Sequence, residues 1–225
     1  MISTEPTPTQ TSALVFTRKK LAFSVAVLLI FHAVGFWGLV FSGNPGYYQN
    51  LTPMNLMLTS FLLFLNHRNF DKYFWLFVAV TFTAGFLAEV LGVHTGLLFG
   101  NYAYGQALGF KLWEVPLIIG LNWVMLVYSS GILVRTWSQN PVICALIATV
   151  FMVSLDYFIE PVAMQFDFWS WQQNQVPVLN YAGWFGITLA LQLLFQVLPV
   201  DKTNQAATWV FLVQAAFFIA LNLFL

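Results

Sequence analysis

Residues 73–93 read YFWLFVAVTFTAGFLAEVLGV. A run of this length can cross a bilayer as a helix, since a span needs about 20 apolar residues. Its one charged side chain, Glu89, lies four residues from the end of the run, which is roughly 6 Å inside at the rise of about 1.5 Å per residue in a helix. An acid retained in an apolar helix costs free energy and therefore suggests a functional site. The stretch predicts a membrane protein with chemistry near one face of the bilayer.

The composition of the whole chain agrees with this prediction. Its 225 residues are 60% hydrophobic, 18% aromatic and 7% charged, whereas soluble domains carry about 25% charge. Six further apolar runs occur at about 21–41, 53–65, 113–134, 141–161, 181–199 and 206–225. We therefore predict an all-α, polytopic membrane helical bundle of about seven transmembrane helices.

The domain prediction is simple. Residues 1–17 are rich in Thr, Pro and Ser and are expected to form a flexible N-terminal tail. Residues 18–225 are expected to form one membrane-embedded helical domain. The run at 53–65 is short for a span, so it is expected to be a tilted partial helix or to extend back to Gln49.

Charges are divided between the two sides of the predicted membrane. Seven of the eight Lys and Arg residues fall on one side: Arg18, Lys19, Lys20, Arg68, Lys72, Arg135 and Lys202. Only Lys111 falls on the other. Basic residues mark the cytoplasmic side, so we predict a multi-pass protein with the N-terminus in the cytoplasm and the C-terminus outside. The expected location is a prokaryotic cell (inner) membrane. The net charge of zero argues against nucleic acid as a partner.

Five acids fall toward the outer side: Glu89, Glu114, Asp156, Glu160 and Asp167. Asp156 and Glu160 are four residues apart, so they share one helical face. Two carboxyl groups that close and that deep cannot both ionise readily, so one is expected to keep its proton, as a general acid must. The alternatives are hydrogen bonding between helices or, for Glu160, capping of a helix that ends at Pro161.

Small residues surround Glu89 on its helix. Gly85, Ala88 and Gly92 allow another helix to approach closely, so Glu89 is not expected to face lipid. A buried hydrogen bond between helices is the alternative to a functional role.

The segment 94–112 is rich in glycine and aromatic residues but lacks the charge of a free loop. It is predicted to pack against the helices as a re-entrant-like or lid segment. His94 would relay protons or hold water near Glu89, or form an interfacial hydrogen bond. Asn122 lies two turns from Glu114 and would order water, or form a hydrogen bond to another helix.

Several signals are missing from the sequence. It contains no Walker loop, GxSxG, HExxH or CxxC motif, and its three histidines have no metal-ligand spacing. We therefore expect no metal and no cofactor. The single cysteine, Cys144, excludes an internal disulfide, and the absence of lysine in 206–225 excludes a retinal Schiff base of the opsin type.

Two blocks of sequence carry a family resemblance. The first contains EVLGVHTG at 89–96, FGNYAY at 99–104, LG at 108–109 and VP at 115–116. The second contains LD at 155–156, EPVA at 160–163, WSW at 169–171, VP at 176–177 and NYAGW at 180–184. Together they resemble the integral-membrane carotenoid biosynthesis family that includes bisanhydrobacterioruberin hydratase and related carotenoid 1,2-hydratases. The chain departs from the family pattern at two places. Glu160 stands where an Asp is expected, and residues 173–175 stand where an aromatic residue or glycine is expected.

The resemblance implies hydration of a terminal C=C bond of a linear carotenoid, lycopene-like or longer, to give a tertiary alcohol. On the residue analysis, Asp156 is favoured as the proton donor, while Glu89 or Glu160 would hold the water. Further residues are expected to bind substrate: His94, Tyr102, Tyr104, Glu114, Asn122, Trp169, Trp171, Asn180 and Trp184. The expected partners are the carotenoid, water and the lipid bilayer, with other membrane enzymes of the carotenoid pathway as candidates.

Three alternatives stay open from the sequence. A carotenoid cyclase would begin with the same protonation, but an internal double bond would capture the cation. A non-catalytic carotenoid or lipid carrier would bind polyene without changing its mass. A small transporter would move its substrate across the membrane.

Overall fold

A computed structural model describes residues 8–225, with side chains from residue 17 onward. Its helices are α1 Pro8–Val40, α2 Pro45–Gln49, α3 Thr52–Leu65, α4 Lys72–Thr95, α5 Ile118–Leu133, α6 Pro141–Gln165, α7 Val178–Val197 and α8 Gln205–Phe224. Residues 1–7 of the predicted tail lie outside the described residues. Residues 8–17, also assigned to the tail, belong to helix α1.

Six helices in the described part of the chain are long and apolar enough to cross a membrane: α1 from Thr17, then α4, α5, α6, α7 and α8. Helix α3 has only 14 residues, and it does not extend back to Gln49, because α2 ends there and Pro53 lies in the first turn of α3. The prediction of an all-helical, multi-pass membrane bundle is therefore confirmed, with six helices long enough to span and two shorter ones, α2 and α3, among the described residues.

Polar residues close one end of the bundle. Asp71, Asn140 and Asn204 each precede a helix, and their side-chain oxygens accept from N–H groups of the first turn. Asn204 also donates to Tyr128 Oη at 3.2 Å, and His67 Nδ1 lies 2.7 Å from the same hydroxyl. This network holds the start of α8 against α5 and the connection between α3 and α4.

Short strands close the opposite end. Strand β1, Tyr102–Tyr104, pairs antiparallel with β4, Trp169–Trp171, and β2, Lys111–Leu112, pairs with β3, Val115–Pro116. The segment predicted to be re-entrant-like is packed, as expected, but strand pairing holds it in place.

Two predicted helix boundaries are wrong. Helix α5 begins at Ile118 rather than near residue 113, because the β2–β3 hairpin takes up the preceding residues and leaves Glu114 in its turn with φ 65°. Helix α6 continues past Pro161 to Gln165. Proline removes one backbone donor and crowds the carbonyl group four residues earlier, but the turn after it still closes through the Phe166 N–H bond to Val162 O. Glu160 is therefore inside the helix, not at its end.

Candidate active site

A cavity of about 460 Å³ lies at the strand-capped end of the bundle. Glu89 on α4 and both Asp156 and Glu160 on α6 line it. All three are buried, with exposed fractions of 4%, 1% and 1%. The three carboxyl groups singled out in the sequence therefore lie in one cavity.

Three donors surround the Glu89 carboxyl group. Tyr102 Oη and Tyr104 Oη donate to Glu89 Oε2 at 2.6 and 2.8 Å, and Trp123 Nε1 donates to Oε1 at 3.1 Å. An indole N–H can only donate, so this arrangement suits a carboxylate that accepts hydrogen bonds at both oxygens.

Glycines on α4 make this approach possible. A Cβ at Gly85 would collide with the Trp123 ring, and one at Gly92 would lie 2.9 Å from Tyr102 Oη. Gly85 is one turn before Glu89, so the indole that packs on this glycine also reaches the carboxyl group. Close packing around Glu89 was predicted from these small residues. They leave room for Trp123 and Tyr102, two of the three donors to its carboxyl group.

The Glu160 carboxyl group is also surrounded by donors. Trp169 Nε1 and Trp171 Nε1 donate to Oε2 at 2.9 and 2.7 Å, and Asn180 Nδ2 donates to Oε1 at 3.0 Å. The same Asn180 nitrogen donates to Asp156 Oδ2 at 2.9 Å. One amide on α7 therefore joins the two acids of α6.

Asp156 differs from the other two acids in one respect. Its Oδ1 is buried and has no hydrogen-bond partner among the described residues. Glu89 and Glu160 instead have donors at both oxygens. Oδ1 of Asp156 is therefore the one oxygen of these three carboxyl groups that makes no hydrogen bond to the described residues.

The two tyrosines remain neutral donors. Burial raises the pKa of the Tyr102 and Tyr104 hydroxyls well above the usual range, and the nearby Glu89 raises both further. Neither phenol is expected to lose its proton near neutral pH.

The β1–β4 pair carries donors for both acidic groups. Tyr102 is opposite Trp171 and Tyr104 is opposite Trp169. Because alternate residues of a strand face the same side, these four side chains share one face of the pair. Asp167, in the loop before β4, accepts from Gln106 N–H at 2.8 Å and so fixes the loop that follows β1.

Most of the predicted substrate-binding residues line the cavity. They are Tyr102, Tyr104, Asn122, Trp169, Trp171, Asn180 and Trp184. The structure does not bring His94 and Glu114 to it. His94 is five residues after Glu89, which turns it to another face of α4. Both side chains are exposed, and His94 Nε2 lies 3.8 Å from Glu114 Oε2.

Trp123 also lines the cavity, although it is not among the residues predicted from the sequence. Its indole bonds Glu89 and stacks on Trp184, with ring centroids 4.4 Å apart. Its position one residue after Asn122, on a helix with buried residues on every side, is the sequence feature that could have indicated its place in the site.

The other wall of the cavity comes from α1, the α2–α3 segment and α8. Three of its lining side chains are also exposed on the outer surface of the bundle: Phe31 (49%), Val34 (52%) and Met54 (63%). The cavity therefore reaches the lipid-facing surface between α1 and α3.

No group of three or more His, Cys, Asp or Glu residues that could hold a metal occurs in the described part of the chain.

Comparison with known proteins adds independent information. A family model described as "Carotenoid biosynthesis protein" matches residues 47–225. The chain is 33% identical over 117 residues to the bisanhydrobacterioruberin hydratase of Haloarcula japonica, a match that covers 48% of this chain and 39% of that protein. The matched region is thus less than half of the relative's length. No solved structure matches the chain.

Proposed function

Because the chain belongs to the carotenoid biosynthesis protein family, we propose that it is an enzyme that adds water to a terminal C=C bond of a linear carotenoid. The similarity to the bisanhydrobacterioruberin hydratase of Haloarcula japonica supports this reaction class. The observation that carries the proposal is the cavity with three buried carboxyl groups, of which only Asp156 has an oxygen free of hydrogen bonds.

Asp156 is the proton donor in this proposal. Its proton moves from Oδ1 to the less substituted carbon of the terminal double bond, whose π electrons form the new C–H bond. A tertiary carbocation remains at the more substituted carbon, and Asp156 becomes a carboxylate. The Asn180 amide, 2.9 Å from Oδ2, then stabilises the new charge by a charge-assisted hydrogen bond.

Water completes the reaction. A water oxygen attacks the tertiary carbon, and one of its protons returns to Asp156, so the product is a tertiary alcohol and the enzyme is restored. Glu89 and Glu160 are the candidates to orient this water. Both carry full sets of donors, which favours their action as acceptors rather than as acids.

Aromatic rings around the acids suit a cationic intermediate. Trp123, Trp169, Trp171 and Trp184 all line the cavity. The face of an indole attracts a cation by about 0.5–2 kcal/mol, more when water is excluded. Such walls stabilise the carbocation without supplying a nucleophile that would compete with water.

The substrate would reach the acids from the bilayer. A linear carotenoid dissolves in the hydrocarbon core, which is about 30 Å thick, and the gap lined by Phe31, Val34 and Met54 faces that core. One end of the polyene would pass between α1 and α3 while the rest of the molecule stays between helices and lipid.

Expression of the chain in a lycopene-producing host tests the proposal. We expect a pigment whose mass has increased by one water. A ring-containing isomer of unchanged mass would support a cyclase instead, and unchanged pigment bound to the purified protein would support a carrier. Either result overturns the hydration proposal.

We also propose the orientation that the basic residues predict, with the N-terminus in the cytoplasm. Asn69→Cys and Gln173→Cys place thiols in exposed loops at opposite ends of the bundle, and the native Cys144 is buried. In sealed cells an impermeant thiol reagent should label position 173 and not position 69. The reverse pattern would invert the topology.

A further inference from the structure

A second cleft lies at the opposite end of the bundle from the carboxyl groups. It has a volume of about 710 Å³ and is formed where α5 ends, α7 ends and α8 begins. Its polar lining residues are Arg135, Thr136, Gln139, Gln196, Lys202, Thr203, Asn204, Gln205 and Thr208. The lining thus contains two cationic side chains and no carboxyl group.

The two cations make no ion pair with a described carboxyl group, although the charge of Asp201 acts on Lys202 from nearby. Within the part of the chain whose side chains are described, neither Arg135 nor Lys202 forms an ion pair. Arg135 Nη1 donates to Gln139 O at 3.1 Å, and Lys202 Nζ donates to backbone carbonyls, the shorter bond being 2.6 Å to Leu198 O. The nearby Asp201 directs Oδ1 to the N–H and hydroxyl of Thr203. Two like charges are therefore held at one cleft, and among the described residues their side chains hydrogen-bond only to backbone carbonyl groups.

Gln196 provides a second, independent feature. It is 6% exposed, its Nε2 donates to Gly131 O at 2.9 Å, and its Oε1 is buried with no partner among the described residues. This side chain lines the same cleft. An unsatisfied buried acceptor costs free energy, and a ligand that brings a hydroxyl group would satisfy it.

We propose that this cleft binds the phosphate group of an anionic phospholipid between Arg135 and Lys202. The cleft lies at the ends of membrane helices, where lipid headgroups lie, and the adjacent Trp137 is 62% exposed, as is typical of an interfacial anchor. Basic clefts between membrane helices bind anionic headgroups because each basic residue adds electrostatic attraction. A headgroup hydroxyl, as in phosphatidylglycerol, would reach Gln196.

Lipid binding to the purified, delipidated full chain tests the proposal. Phosphatidylglycerol, phosphatidylcholine and inorganic phosphate are each titrated, and binding is read by native mass spectrometry and by the thermal unfolding midpoint. We expect phosphatidylglycerol to bind and to raise the midpoint, and phosphatidylcholine to do neither. The Arg135→Gln/Lys202→Gln variant should bind phosphatidylglycerol about 30-fold more weakly.

A matched control exists at the same end of the bundle. Arg18→Gln/Lys19→Gln removes the same charges from exposed positions outside the cleft, and it should bind phosphatidylglycerol like the wild type. If the double variant does not fold, Arg135→Gln alone should bind phosphatidylglycerol about fivefold more weakly, and the charge-preserving Lys202→Arg should bind it like the wild type; equal binding by these two variants would contradict the proposal. Inorganic phosphate binding as tightly as the lipid would assign the cleft to a soluble phosphate and overturn the lipid proposal. Equal binding of the two lipids, or equal loss in the control, would overturn the proposal.

Discussion

The indole rings of Trp123 and Trp184 are stacked, with centroids 4.4 Å apart and planes 21° from parallel. The stack joins α5 to α7 and fixes the direction of the Trp123 N–H, which points at Glu89 Oε1. An orientation set by ring packing on one helix thus determines a hydrogen bond to an acid on another helix.

This relationship predicts the effect of Trp123→Phe. A phenyl ring keeps most of the packing but removes the N–H that bonds Glu89. A hydrogen bond to a charged group contributes about 1.5–3 kcal/mol, so the hydration rate per folded molecule should fall about 10- to 100-fold. Trp184→Phe alters the same stack without removing a donor from Glu89 and should lose less activity. Equal losses would show that stacking alone matters.

Asp156→Asn should abolish hydration while the protein still inserts and binds carotenoid. Asparagine keeps the size of the side chain and can still accept from Asn180, but it has no acidic proton to deliver. General acid catalysis contributes about 10²- to 10⁴-fold, so pigment mass in the lycopene-producing host should stay unchanged. Glu160→Gln should retain partial turnover. If Asp156→Asn folds and hydrates at the wild-type rate, Glu89 becomes the leading candidate for the donor.

Gly35→Leu should obstruct access from the bilayer. Gly35 lines the cavity on α1, and a Cβ there would meet only Phe217, at 3.7 Å, so the variant is expected to fold with a narrower gap. A few added methyl groups in an apolar passage change binding by about tenfold or more. We expect KM to rise by this factor with little change in kcat.

Gly186→Leu is the matched control for that variant. Gly186 lies on α7 outside the cavity, and a Cβ there would meet nothing within 4 Å. It should leave KM unchanged. If both leucine variants behave like the wild type, the carotenoid does not pass Gly35.

Lys202 predicts a pH dependence of stability. Burial, together with the charge of Arg135, lowers its pKa to about 8 from 10.5, against the opposing effect of Asp201. The unfolded chain therefore binds this proton more tightly, and stability rises with pH between about 8 and 10.5. Relative to Lys202→Met, the wild-type unfolding midpoint should increase across this window. Lys19→Met should follow the wild type; parallel curves for the wild type and Lys202→Met would contradict the prediction.

The spans could be predicted from sequence because long apolar runs have clear ends. The run at 73–93 became helix α4, Lys72–Thr95, bounded by the Asp71 cap and by Gly96 in the left-handed conformation. The strands could not be predicted. Each has only two or three residues, too few for an alternating pattern, and β1 and β4 are far apart in sequence.

The acids of the site could be predicted, but most of their bonding could not. Charged residues in apolar helices stand out, and the spacing of Asp156 and Glu160 places them on one face. By contrast, Trp123 lies on a helix that is buried on all sides, so no apolar stripe marks the direction of its ring. His94 is close to Glu89 in sequence, and only the rotation of α4 separates the two side chains.

The register of the β1–β4 pair has a consequence for how this protein can change in evolution. Tyr102 and Tyr104 donate hydrogen bonds to Glu89, and Trp169 and Trp171 donate hydrogen bonds to Glu160. All four side chains lie on one face of a single two-stranded ribbon. A shift of β1 by one residue would turn its tyrosines outward and present Ala103 instead, and a shift of β4 would turn its tryptophans outward and present Ser170. An insertion in either strand would therefore remove the donors of one acid and change the strand pairing that positions the donors of the other. The segments that carry β1 and β4 are thus expected to be inherited as one unit.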